Sequence, residues 1–231
     1  MRSGWRSTLA EVLDVAVARS MVVEANDGIV TTAGVVEGFA GAGATGPSLV
    51  IAALCTMVAG GIALAGARYA EEAAEREARL AVIEEERSQL ALSPGQEMAE
   101  LAALFEARGL SADLAREVAS ELSAADALAA HVEVEHGLSM RDAPSAPLAI
   151  AAAAGLAFAL GSAIPLLAVL IAPDDWRPGV VFVAVIVSLA IASLILARLG
   201  RTHVRGVMVR SVLVGVTAMV LSLATGSLFH P

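Results

Sequence analysis

Lysine is absent from this chain, cysteine occurs once, and aromatic residues make up only 3% of it. With Cys55 alone, no intrachain disulfide can close and no thiolate metal cluster can form within one chain. Buried, inert packing is the role expected of it. Without lysine, any charge asymmetry along the chain must be read from arginine. Nothing resembles a nucleophile elbow, a phosphate loop or a zinc hydrolase motif, and His131, His136, His203, His230 and Cys55 do not cluster around a reaction centre. An enzyme is the least expected class.

What the chain has in abundance is apolar sequence: 57% of its 231 residues are hydrophobic and 17% charged, too apolar for a soluble domain of ordinary composition. Apolar runs at about 20 to 43, 47 to 67, 147 to 171, 178 to 198 and 207 to 229 each approach the roughly 20 residues that cross a hydrocarbon core. The expected fold is an all-α membrane protein with five transmembrane helices in the lipid bilayer, its termini on opposite sides. Glu11 and Asp14 interrupt the N-terminal stretch, which does not resemble a cleaved signal. Leu9, Val12, Leu13, Ala16 and Val17 fit either an interfacial amphipathic helix or a plain extension of span one. Arg2, Arg6 and Arg19 precede span one, and Arg198, Arg201, Arg205 and Arg210 crowd the link between spans four and five, so both should be cytoplasmic. The N-terminus is then inside, the C-terminus outside, and the stretch between spans two and three inside.

That stretch divides the chain into 1–67, an insert at 68–142, and 143–231. The insert holds 17 of the 24 acidic groups against 7 arginines, enough to account for the whole net charge of −9. Such acidity attracts cations and repels nucleic acid. Three helices are expected. The first runs out of span two to about Leu92, where Ser93-Pro94-Gly95 stops it; the second spans about Pro94 to Arg108, and the third about Ser111 to His136, capped by Gly137. Glu97 and Glu100 are spaced i, i+3, His131 and Glu135 i, i+4, and Glu86 with Gln89 repeats the first spacing, so each pair shares a helix face. Carboxylate with imidazole suits iron(II), manganese(II) or zinc(II). On an acidic helix the same pairs also arise as an ordinary solvated face.

In span one the run Glu24-Ala25-Asn26-Asp27-Gly28 carries acidic groups deep in an apolar helix, and Glu37 follows about 15 Å beyond Asp27. Ionisable groups inside a span usually face a bundle interior or water-filled path and carry ions or protons. Asp27, Thr31, Gly34, Gly38 and Gly41 share one small-sided face, which could line a path between helices or simply pack them.

These segments resemble the vacuolar iron transporter family in its bacterial form. The resemblance rests on Ala25 to Gly34 in span one, Val58-Ala59-Gly60 leading to Tyr69, Pro94 with Glu97, Glu100 and Leu101, Asp126 to His131 followed by Glu135 and Gly137, Phe158 to Leu167 with Gly161 and Pro165, and Ala218-Met219 with Gly226. It implies a homodimer in the cytoplasmic membrane with a central path between the two first spans, where Asp27 handles metal and protons. It also implies metal ligands at Glu86, Gln89, Glu97, Glu100, His131 and Glu135. Gln89 departs from an expected glutamate. In span two an expected methionine is Leu64, an expected glutamate is Arg68, and a glutamate of some members is Thr56; span one has gained Glu24 and Glu37. Arg68 would repel cations unless it pairs with Glu24, Glu71 or Glu72. The exchange of thioether for carboxylate favours harder ions such as manganese(II) or magnesium(II). The leading expectation is a divalent-metal exporter coupled to protons, with Glu37 as a relay. The alternative is a membrane protein that senses or stores metal through its insert without transport.

Overall fold

A computed structural model describes residues 15–140 and 146–229. Most of the N-terminal residues assigned to an interfacial helix lie outside them. The described residues form seven α-helices and one 3-10 turn: α1 (Val15–Gly41), α2 (Gly46–Leu92), α3 (Pro94–Ala107), α4 (Ala112–His136), α5 (Pro147–Ile171), the turn Asp174–Trp176, α6 (Arg177–Leu199) and α7 (Val204–Ser227). Two compact units result, one from Met1–Ala70 with Ala146–Pro231 and the other from Glu71–Ser145.

Four helices, α2, α5, α6 and α7, are long and apolar enough to cross a membrane, as befits a multi-pass integral membrane protein. The 27-residue α1 is equally long but carries Glu24, Asp27 and Glu37. Cys55, expected to be buried, is exposed on α2, as are Ile51, Leu54, Val58 and Ile62. In lipid, apolar side chains gain nothing by leaving the surface of a bundle, so apolar character does not imply a buried position there.

In the first unit α1 packs against α5, α6 and α7. Two of these crossings bring backbone onto backbone. A Cβ added at Gly161 would stand 2.0 Å from the Ala25 carbonyl oxygen, and one at Gly226 would stand 1.8 Å from that of Gly38. The Ser162 hydroxyl also donates to the Gly28 carbonyl at 3.3 Å. Gly34, Gly38 and Gly41 all lie against Ser222 or Leu223 of α7, so their smallness serves a helix crossing within one chain. Gly161→Ala should destabilise the unit by about 3 kcal/mol or more, because backbone cannot yield as a side chain can. Thermal unfolding of the purified protein checks this against Gly179→Ala, where a Cβ meets nothing within 4 Å.

In the second unit α2 ends at Leu92, and Pro94 opens α3 with Glu97 in its first turn. Leu101, Ala102, Ala119 and Ala130 form the core between α3 and α4. Unexpectedly, α4 is two helical pieces: Asp126 has extended backbone, φ −162° and ψ 95°, and its carboxylate accepts the Ala129 amide at 3.0 Å. That is N-cap geometry, so Asp126 starts the piece that carries His131, Glu135 and His136. Gly137, at φ 66°, closes it in the left-handed cap expected of glycine.

Candidate metal centre

The end of α2, the first turn of α3 and the last turns of α4 bring Glu86, Glu97 and His131 together. All three are buried, His131 completely. His131 Nδ1 lies 3.2 Å from Glu135 Oε1, 3.7 Å from Glu97 Oε2 and 3.8 Å from Glu86 Oε2. Glu97 shares a helix face with the buried Leu101, one turn on, and His131 lies in a run of three buried residues, Ala130, His131 and Val132. Three groups of donors, each with ligand atoms within 4.8 Å of one another, arise here: Glu86, Glu97 and His131; Glu97, Glu100 and Glu135; and Glu86, Glu135 and His136. Any two of them share a carboxylate. Five of the six ligand positions expected in the insert thus converge, and Gln89 lies half-buried one turn beyond Glu86. His136 was not expected: its one carboxylate neighbour at helical spacing is Glu133, and only the fold brings it to Glu86.

Buried polar atoms normally find partners. Here Glu86 Oε2, Glu97 Oε2 and His131 Nε2 are buried with no hydrogen-bond partner among the described residues. Burial pushes the Glu97 carboxyl above its ordinary value of 4.5; the negative charges of Glu100, Glu86 and Glu135 add to the rise, and His131 opposes it. A carboxyl held protonated by the fold stabilises it fully below the unfolded value, and that contribution is lost as pH rises through the folded one. The metal-free protein should therefore lose stability as pH is raised above 4.5, and divalent metal should restore it by supplying the missing positive charge. Unfolding followed across pH with chelator and with metal tests the sign, since unpaired carboxylates without such a shift would give no loss.

The acidic residues of α1 do not share one surface. Asp27 is exposed and accepts a hydrogen bond from the Thr31 hydroxyl at 3.2 Å. Thr31 begins an open groove of about 690 Å³ between α1 and α7, lined further by Gly34, Gly38, Ser222 and Thr225. Glu37 is buried on another side and faces a separate cavity of about 150 Å³, with Arg177 on its wall. Ten residues turn a helix by about 280°, which places the two carboxylates on different faces.

Comparison with known proteins decides the family. The VIT family model matches residues 18–227. The chain belongs to the VIT family. A vacuolar iron transporter of Acanthamoeba castellanii is 32% identical over 212 residues, which cover 91% of this chain and 77% of that protein. Against the VIT pattern, the departures in span two now have surroundings. Glu24 is buried, and the Arg68 guanidinium is paired with its carboxylate, through both Nε at 2.8 Å and a closer Nη2, and also donates to the Ser20 hydroxyl. The glutamate gained in span one therefore neutralises the arginine gained in span two. Thr56 is occupied with its own helix, donating to the Ala52 carbonyl at 2.8 Å.

Proposed function

We propose that this VIT family protein is a divalent-metal transporter that exports iron(II) or manganese(II) from the cytoplasm in exchange for protons. The observation that carries this reading is the convergence of Glu86, Glu97 and His131, from three helices, with Glu86 Oε2 and Glu97 Oε2 buried and without a hydrogen-bond partner among the described residues. On this reading the acidic insert, residues 68–142, collects the ion at the cytoplasmic face, and α1 joins the four more apolar helices as a fifth span. Its Asp27 passes the ion along a path between two copies of the chain. Glu37, in a cavity walled by a guanidinium, suits a counter-moving proton better than a cation. The low thioether content of span two, with Leu64 in place of methionine, favours manganese(II). Membership of a family with a named iron transporter agrees with a transporter and not an enzyme.

The competing reading, a sensor or store that passes nothing, draws on Leu64 and Arg68. With Arg68 paired to Glu24, its charge no longer argues against a cation in this neighbourhood. Purified protein in liposomes under an imposed pH gradient separates the two. Accumulation of manganese(II) or iron(II) that follows the gradient supports exchange; metal binding without flux leaves only the sensor.

A further inference from the structure

His136 gives the insert a feature that its ligand pattern does not contain. Its Nε2 lies 2.9 Å from Glu86 Oε1, while Glu86 Oε2 points to the other side, 3.8 Å from His131 Nδ1, and has no hydrogen-bond partner. The Glu86 carboxylate is 4% exposed and so is held between two imidazoles, one oxygen toward each. Atoms bound to one divalent ion at about 2.0 to 2.2 Å stand roughly 3 to 3.6 Å from each other. The His136 to Glu86 distance of 2.9 Å lies just below that interval, and the His131 distances to Glu135, Glu97 and Glu86, 3.2, 3.7 and 3.8 Å, run from within it to slightly beyond it. Glu135 completes a group with Glu86 and His136 on one side, and Glu97 completes one with Glu86 and His131 on the other.

We propose that Glu86 bridges two cation positions, one buried at Glu97 and His131 and one at the rim formed by Glu135 and His136, and that the rim position selects zinc(II)-like borderline ions. The proposal rests on the reading of the insert as a metal-binding domain. Each position then has one imidazole. Imidazole suits zinc(II) and its neighbours, whereas carboxylate and water alone suit manganese(II) and magnesium(II). His136 is 38% exposed, so the rim position keeps water ligands and exchanges its ion with solvent, while the inner position, with His131 fully buried, exchanges slowly. Two neighbouring cations repel unless carboxylate charge lies between them; Glu86 supplies it, with Glu97, Glu100 and Glu135 around it.

The plainer role for His136, a hydrogen bond that fastens α4 to α2, predicts something different. Glutamine can keep that bond but is a poor zinc ligand, so His136→Gln separates the two. Full-length protein, stripped of metal in detergent, is dialysed against zinc(II) and separately against manganese(II), and bound metal is counted by elemental analysis. The expected result is that His136→Gln loses one zinc(II) per chain, with affinity at that position down about tenfold or more, while manganese(II) binding changes little. His131→Gln should lose the other zinc(II). Cobalt(II) absorption gives a second readout, in which the component lost in His136→Gln persists in His131→Gln. Zinc(II) stoichiometry and affinity unchanged in His136→Gln overturn the rim position and leave the domain reading intact. Wild-type protein that binds neither zinc(II) nor manganese(II) overturns both.

Discussion

In Asp27→Ala, metal flux driven by a pH gradient should fall to the level of protein-free liposomes, while metal binding by the insert stays at its wild-type value. Asp27 is exposed on α1, and its hydrogen bond comes from Thr31 one turn along the same helix. Its loss removes no packing, and exposed substitutions of this kind usually alter stability by less than about 0.5 kcal/mol. A collapse of flux therefore cannot be ascribed to unfolding. The insert is a separate compact unit, so its ligands are untouched. Asp27→Asn preserves shape and Thr31 contact but neither attracts a cation nor carries a proton, and it should fail as completely. Undiminished flux in either variant would sink the proposed path.

The second large effect is expected at Glu86. This residue belongs to two of the three donor groups, so Glu86→Ala removes a ligand from both at once. Loss of an outer partner of a metal ligand typically weakens binding 10- to 100-fold, and loss of a shared ligand should exceed about a hundredfold. Titration of the full-length protein with manganese(II) measures it, with Glu106→Ala, an exposed glutamate outside all three groups, as control. Stability should move the opposite way without metal. A buried carboxylate among others of its sign raises the energy of the metal-free fold. Glu86→Gln should accordingly unfold later than wild type in chelator and earlier in saturating metal. A residue kept only for its hydrogen bond to His136 would destabilise the protein in both conditions.

The helices of the insert could be read from Pro94, Gly137 and the apolar stripes, because stops and caps are local properties of the chain. The ligand pairs were also visible, since i, i+3 and i, i+4 spacing reports which side chains share a helix face. Spacing cannot report which faces meet. Glu86 and His136 are fifty residues apart, and the helical piece that carries His136 starts at the break at Asp126, which was hidden by an uninterrupted helical pattern on either side. An aspartate in a helix interior, a good N-cap and a poor helix former, was the available signal. The same limit explains Glu37. Its depth in span one was clear, but the partners that wall its cavity come from other parts of the chain: Leu49 from α2, Arg177 and Val181 from α6. The family pattern supplied the ligand list and could not supply His136, which lies outside that pattern.

The pair Glu24 and Arg68 has a consequence for the history of such sequences. Glu24 without Arg68 leaves a buried carboxylate short of the guanidinium that pairs with it, a state that breaking a buried pair makes unfavourable by about 3 to 5 kcal/mol. The two substitutions should therefore travel together. Among relatives, arginine in place of the glutamate before the span-two tyrosine should come with an acid one turn before the Asn-Asp-Gly run, and sequences that carry only one of them should be rare. Compiling the residues at these two positions across the family would show whether this lineage changed a charge or exchanged one.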